Sequence, residues 1–93
     1  MMFALVAFDQ PNSVARRMEL RPEHLKFLDT LKLVFAGPFL NDRGEGVGSI
    51  VVIEAESLDE ARAEFGRDPY AKAGLFDSVT IKPWRLAVNK SQK

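Results

Sequence analysis

The sequence predicts an α+β domain whose strands and helices follow the order βαββαβ, with the four strands in one antiparallel sheet. Four apolar stretches have strand character, and two of the segments between them have apolar residues at helical spacing. No internal repeat or long linker divides the 93 residues, and a chain of this length forms a single core. We therefore predict one domain, residues 1–88, followed by a flexible C-terminal tail, residues 89–93.

The first strand is predicted at Phe3–Phe8, where both alternating sets of side chains are apolar. This pattern is typical of a central strand that is covered on both faces. The turn-forming residues Asp9–Asn12 follow it, and Asn12 or Ser13 is placed to cap a short helical turn at Val14–Met18.

A proline is expected to interrupt that turn and to begin the first full helix. Pro22 follows Arg21, and because proline fits best in the first turn of a helix, we predict a helix from about Pro22 to about Leu31. His24 falls inside the apolar arc of this helix, which comprises Leu25, Phe27, Leu28 and Leu31.

The second and third strands are predicted on either side of a loop rich in turn formers. The second strand covers Leu33–Ala36 and is ended by Gly37-Pro38. The loop covers Asn41–Gly46, after which Gly48-Ser49 leads into a β-branched third strand at Ile50–Ala55.

The second half of the chain supplies one more helix and one more strand. Ser57-Leu58-Asp59-Glu60 forms a capping box that predicts the start of helix two. Asp68–Phe76 is a compact loop or short helical turn, and Asp77–Arg85 is the fourth strand.

This order of elements is that of the ferredoxin-like, split βαβ fold, with both helices on one face of the sheet. The other face would expose apolar side chains, so we predict a homodimer formed by sheet stacking.

Composition excludes several classes of function. The 13 basic and 13 acidic residues give zero net charge, so no general field attracts nucleic acid or anionic membranes, and neither is expected as a partner. The absence of cysteine and the single histidine exclude a disulfide framework, a thiolate zinc site and a multi-histidine metal site within one chain.

No apolar run approaches the roughly 20 residues of a membrane span, and the N-terminus lacks the basic region of a signal peptide. We expect a cytoplasmic protein.

Several short motifs carry a resemblance to a known family. They are Arg21-Pro22-Glu23-His24-Leu25, Gly37-Pro38, Gly48-Ser49, the stretch from Asp68-Pro69-Tyr70 to Gly74-Leu75-Phe76, and Lys82-Pro83-Trp84. From Phe3 to about Arg85 their order and spacing resemble the YciI-like family of small bacterial proteins, also called the YCII-related domain. The resemblance implies a dimeric α+β barrel akin to muconolactone isomerases, in which His24 and Asp68 form the active pair in a pocket. A few relatives act on lactones or chlorinated ring-cleavage products.

The residues alone leave the roles of His24 and Asp68 open. A histidine on an apolar arc is more often a core residue whose ring is satisfied by a backbone carbonyl. An Asp-Pro pair after a helix is also ordinary turn chemistry. Together, however, the two side chains could transfer a proton near neutral pH, and we expect them to be close enough to hydrogen-bond directly or through one water.

Further residues are candidates for substrate binding. Arg16, like Arg17 and Arg21, could pair with a substrate carboxylate, although a solvated basic helix face is the more common explanation of such arginines. Ser49 could donate a hydrogen bond to a ligand oxygen or merely satisfy a turn. Three aromatic residues could line a pocket or form core or dimer contacts: Tyr70, Phe76 and Trp84.

Two functions follow from these candidates. The first is an enzyme of lyase or isomerase type, in which His24 moves a proton beside a carbonyl or lactone without a metal or organic cofactor. The second is a non-catalytic small-molecule-binding or accessory module on the same fold. The absence of nucleotide-binding motifs and of a nucleophile elbow argues against kinases, dehydrogenases and hydrolases, but does not separate these two functions.

Overall fold

The computed structural model describes residues 1–90 and has seven regular elements in this range. They are β1 (Met2–Asp9), α1 (Val14–Leu28), β2 (Leu33–Leu40), β3 (Gly46–Glu54), α2 (Leu58–Phe65), α3 (Pro69–Lys72) and β4 (Phe76–Trp84). The strands form one antiparallel sheet in the order β2-β3-β1-β4. The predicted α+β, ferredoxin-like architecture is therefore confirmed, with the short α3 added between α2 and β4.

The main core lies between one face of the sheet and the helices. Phe3, Leu5 and Ala7 of β1 alternate with partly buried neighbours, as expected for a central strand that pairs with both β3 and β4. Their neighbours in the core come from β3, from both longer helices and from the segment that precedes α2: Val51, Ile53, Ala55, Phe27, Leu28, Ala61 and Phe65. Burial of this apolar surface is what holds α1 and α2 against the sheet.

Helix α1 is longer and more regular than predicted. It runs unbroken through Pro22, so the expected interruption at Arg21-Pro22 is wrong, and it ends at Leu28 rather than Leu31. Proline removes one helical hydrogen bond, at a cost of about 3 kcal/mol. Here Pro22 lies on the exposed side of the helix, and buried side chains anchor the helix on both sides of it. Ser13 is the N-cap residue, but its side chain makes no capping hydrogen bond.

Strand β2 also continues past the position where the sequence was expected to end it. It extends through Gly37-Pro38 to Leu40, and Pro38 pairs in register with Ser49 of β3. A proline is tolerated here because β2 is an edge strand, where a missing N–H on the outer side removes no ladder bond. The extension places Pro38 and Ser49 side by side at the helix-facing surface.

The second half of the chain follows the sequence pattern closely. Ser57 Oγ accepts a hydrogen bond from the Glu60 backbone N–H at 3.1 Å, which confirms the predicted start of α2. The segment from Asp68 contains the predicted helical turn, now α3, and β4 follows it. Residues 85–90 have no regular secondary structure, and the last three positions of the predicted tail lie outside the described residues.

None of the three helices among residues 1–90 covers the second face of the sheet. Phe8 of β1 stacks on Phe39 of β2 with ring centroids 5.0 Å apart, and the two rings lie across Gly48. A Cβ at Gly48 would stand 2.5 Å from the Ala7 carbonyl oxygen, so this close approach requires glycine. Nearby, Phe35 packs edge-on against Trp84. The open face therefore presents aromatic side chains of β1, β2 and β4.

Among residues 1–90, no helix has both the length and the apolar character needed to cross a bilayer.

The cap of α2 supplies a direct test of the element boundaries. Ser57→Ala removes the acceptor for the Glu60 N–H and should lower the free energy of unfolding by about 1 kcal/mol. Ser57→Asp keeps an acceptor at the same position and should retain most of the stability. Urea unfolding of the three proteins measures the difference. Equal midpoints for wild type and Ser57→Ala would show that the cap contributes nothing.

Candidate functional site

One face of α1 brings three basic side chains towards the sheet. Arg17, Arg21 and His24 are spaced four and three residues apart, so they share a face of the continuous helix. All three line a cavity of about 160 Å³ between α1 and strands β2 and β3. Its other lining residues are mainly apolar: Leu25, Leu28, Ala36, Gly37, Pro38, Ser49, Val51 and Tyr70.

His24 and Asp68 meet at this cavity. The His24 Nδ1 atom lies 2.8 Å from Asp68 Oδ1 and 2.9 Å from Oδ2. Both residues are buried, with 7% and 6% of their surface exposed. Because a carboxylate can only accept hydrogen bonds, this contact places the proton of a neutral imidazole on Nδ1. Of the two arrangements expected, a direct hydrogen bond or one through a water, the structure has the direct one.

The other ring nitrogen of His24, Nε2, is accessible. Within the part of the chain that the structure describes, Nε2 makes no hydrogen bond, and no buried side-chain nitrogen or oxygen lacks a partner. Nε2 is therefore an accessible atom of a residue that lines the cavity. With the proton held at Nδ1, Nε2 has a free lone pair that can accept a proton from a bound molecule.

Asp68 has a second, structural role. Its Oδ1 atom also accepts a hydrogen bond from the Tyr70 backbone N–H at 2.9 Å, which makes Asp68 the N-cap of α3. The sequence left open whether Asp68 forms a turn or contacts the histidine. In the structure its carboxylate does both. Since Pro69 has no N–H and fits the first position of a helix, the Asp-Pro-Tyr order suits this geometry.

Tyr70 lies between the functional side chains and the core. Its ring stacks on the His24 imidazole with centroids 3.9 Å apart and planes inclined by 12°. The Arg17 guanidinium lies 4.5 Å from the centre of the same ring. Burial raises the pKa of the Tyr70 phenol, although the Arg17 charge acts in the opposite direction. The phenol therefore stays protonated at neutral pH and can donate a hydrogen bond but cannot act as a base.

Arg17 is buried and paired, contrary to the solvated basic face considered for it from the sequence. Its Nε donates to Asp9 Oδ2 at 2.6 Å, and its terminal nitrogen donates to Asp9 Oδ1 at 3.1 Å. The same terminal nitrogen donates to Ser49 Oγ at 2.8 Å. Because Ser49 Oγ accepts this bond, its own hydroxyl hydrogen is available to an acceptor in the cavity.

The remaining sequence candidates lie away from the His24 cavity. Arg16 is exposed and donates to the Ala73 carbonyl at 3.0 Å. Phe76 contacts Tyr70 edge-on with centroids 6.0 Å apart and packs on the core. Trp84 lies on the open face of the sheet against Phe35. The structure therefore does not place Arg16, Phe76 or Trp84 in the wall of this cavity.

The sequence did not identify Asp9 as a site residue, and it gave Arg17 only as a possible carboxylate binder, not as the partner of Asp9 and Ser49. Asp9 was interpreted as a turn residue, but its side chain is 3% exposed and forms the bidentate ion pair. The available signal was the shared helical face of Arg17 and His24, which the expected break at Pro22 concealed. Residues 1–90 contain no group of three or more His, Cys, Asp or Glu side chains that could hold a metal ion.

The chain is similar to known proteins over most of its length. Protein YciI of Escherichia coli O6:H1 is 37% identical over 95 residues, which cover 91% of this chain and 97% of YciI. An uncharacterized protein of Haemophilus influenzae is 32% identical over an alignment with the same coverage.

Two solved structures show how this fold is used elsewhere. The 5-chloro-2-hydroxyhydroquinone dehydrochlorinase TftG from Burkholderia phenoliruptrix AC1100, in complex with 2,5-dihydroxybenzoquinone, superposes with a TM-score of 0.85 at 33% identity. That superposition covers 94% of this chain and 96% of TftG. The cofactor-independent oxygenase SnoaB from Streptomyces nogalater shares the fold alone, with a TM-score of 0.62, 12% identity, and coverage of 96% of this chain and 97% of SnoaB.

The fold is thus one that small-molecule enzymes use. The sequence profile of the YCII-related domain family matches residues 1–85, and the chain belongs to that family.

Proposed function

We propose that the chain is an enzyme of lyase or isomerase type that binds a small ring-shaped carbonyl or lactone-like molecule beside His24. The observation that carries this proposal is the buried contact between His24 Nδ1 and Asp68, with Nε2 open to a cavity. A buried, oriented imidazole next to an accessible space is the arrangement required for general acid–base catalysis.

In this proposal Nε2 of His24 is the base. It accepts a proton from a carbon beside a carbonyl group, or from a ring hydroxyl, and the imidazolium that forms is stabilised by the Asp68 carboxylate. The same nitrogen then returns the proton to another atom of the substrate or to a leaving group. The stacked Tyr70 ring keeps the imidazole in one plane and attracts its positive charge.

Ser49 completes the arrangement as a donor to the substrate oxygen. When a proton leaves a position beside a carbonyl, negative charge develops on the carbonyl oxygen, and a fixed hydroxyl donor stabilises it. Ser49 is 3% exposed, and its Oγ is held by Arg17 at 2.8 Å, so its position is set before a substrate arrives. Arg17 acts through Ser49 in this scheme and is a positioning residue.

The size of the cavity supports a single-ring substrate. Its volume of about 160 Å³ is close to the roughly 150 Å³ of an engineered protein cavity that holds benzene. TftG, whose structure resembles this chain, is a dehydrochlorinase that was solved with the single-ring compound 2,5-dihydroxybenzoquinone. A related ring compound is therefore a reasonable first ligand for this cavity.

The alternative is a non-catalytic module that binds a small molecule in the same cavity. The observation that favours it is the second role of Asp68, because capping α3 is by itself a sufficient structural reason for this carboxylate. In that case His24 would fill space and hold α1 against α3, and the bound molecule would leave unchanged.

Substitution of the pair separates these two functions. His24→Ala removes the base, and Asp68→Asn removes the charge that stabilises imidazolium while keeping an N-cap side chain for α3. We expect each to lower turnover by about 10²- to 10⁴-fold. The measurement is chloride release from 5-chloro-2-hydroxyhydroquinone, the compound in the name of the relative, together with binding of 2,5-dihydroxybenzoquinone.

Glu23→Gln is the matched control for this experiment. Glu23 precedes His24 on α1 but is exposed and pairs with Lys26, so its substitution should leave turnover unchanged. If wild type binds the quinone but releases no chloride, and both site variants bind it equally well, the enzyme proposal is replaced by the binding module.

We further propose that the chain forms a homodimer by stacking the open faces of two sheets. Phe8 and Phe35 on this face are 46% and 41% exposed, a large apolar surface for a small domain. A two-fold axis through the face would cover the same aromatic side chains on both copies at once. On β4 the exposed residues Ser78, Thr80 and Lys82 of this face are polar, so the apolar contact lies on β1, β2, β3 and the Trp84 end of β4.

A charge on the open face tests the dimer. Phe35→Glu places a carboxylate in the proposed contact, where it would be buried without a partner, and should convert the dimer to a monomer. Thr80→Glu adds the same charge on the polar side and should leave the dimer intact. Light scattering at micromolar concentration measures the mass of each protein. A monomeric wild type would contradict the proposal.

A further inference from the structure

Arg21 is the one cation of the His24 cavity that has no carboxylate partner among the described residues. Of the three basic residues in the lining, Arg17 is paired with Asp9 and His24 with Asp68. Among residues 1–90 Arg21 makes no ion pair, and it is exposed although it lines the cavity. The positive charge of the cavity therefore comes mainly from Arg21.

Arg21 also lines a second, larger space that adjoins the cavity. This groove of about 410 Å³ shares Arg17, Arg21 and Pro38 with the His24 cavity. Its other lining residues are Val14, Met18, Leu40, Gly44, Glu45 and Gly46. Arg21 thus stands at the junction of the two spaces.

The one acidic residue that lines the groove does not neutralise Arg21. Glu45 Oε1 accepts a hydrogen bond from Asn41 Nδ2 at 3.0 Å, and the described residues include no ion pair between Glu45 and Arg21. Burial raises the pKa of the Tyr70 phenol, and the charge of Arg21 is one of the influences that act to lower it. Arg21 therefore has an electrostatic effect on a buried group of the site. A guanidinium in this position is available to an anion that enters the cavity.

We propose that Arg21 determines substrate specificity by binding an anionic substituent of the ring compound, a carboxylate or an acidic ring oxygen. This rests on the proposed function, since it places the ring in the cavity beside His24 and Ser49 and the negative group at the junction with the groove. A guanidinium binds a carboxylate through two parallel hydrogen bonds, and this fixes the orientation of the ring relative to Nε2. The substrate class is then an anionic single-ring compound rather than a neutral one.

In this proposal the arginines of α1 have different roles. Arg17 is neutralised by Asp9 and orients Ser49, whereas Arg21 supplies the attraction for the anion. Arg16 is directed to the Ala73 carbonyl and contributes to neither cavity. This makes Arg16 a matched control for Arg21, with the same side chain on the same helix.

The test compares two ligands of the same shape that differ in charge. Benzoate and benzamide are titrated into wild type, Arg21→Met, Arg21→Lys and Arg16→Met, and binding is followed by the NMR signals of the only histidine, His24. Because Arg21 is exposed, we expect wild type to bind benzoate about three- to fivefold more tightly than benzamide. Arg21→Met should abolish this difference, Arg21→Lys should keep part of it, and Arg16→Met should keep all of it. Added salt should weaken binding of benzoate only.

Each outcome has a definite meaning. If wild type binds both ligands equally, or if Arg21→Met keeps the preference for benzoate, the role of Arg21 is wrong while the ring-binding cavity of the proposed function stands. If neither ligand shifts the His24 signals, the anion site and the ring-binding cavity are both wrong.

Discussion

The contact between His24 and Asp68 is the interaction on which the site depends. It joins α1 to the start of α3 across 44 positions of sequence. The same carboxylate caps α3 through the Tyr70 N–H, and the Tyr70 ring in turn stacks on the imidazole. One buried acidic group therefore fixes the beginning of a helix, the position of an aromatic ring and the orientation of a histidine. The cavity has its present shape because these three constraints are satisfied together.

The second constraint is the continuity of α1. A helix broken at Pro22 would rotate its two halves independently, and Arg17 would not share a face with His24. Because the helix is unbroken, one face of α1 is held at two points, to β1 by the ion pair between Arg17 and Asp9 and to the start of α3 by the contact between His24 and Asp68. Burying Arg17 is costly unless its charge is paired, and Asp9 meets that requirement with two hydrogen bonds. The paired arginine then orients Ser49 instead of attracting anions.

The sequence predicted the fold more completely than the site. Periodicity and caps identified the strands, the start of α2 and the uncovered face of the sheet, since these depend on local patterns that each element carries itself. The direct contact between His24 and Asp68 was also expected. The continuity of α1 was not, because the local cost of Pro22 is outweighed by anchoring contacts to distant residues. The burial of Arg17 and the position of Trp84 on the open face likewise depend on tertiary packing, which no local pattern records.

The proposed function requires Asp68 to hold His24 with its Nδ1 proton directed at the carboxylate, which leaves the Nε2 lone pair for a bound molecule. Long-range ¹H–¹⁵N NMR of the imidazole measures this directly, and the chain contains a single histidine, so the signals need no assignment. For neutral His24 the account predicts the tautomer with the proton on Nδ1, and a loss of that preference in Asp68→Asn. A neutral ring protonated on Nε2 in the wild-type protein would contradict it.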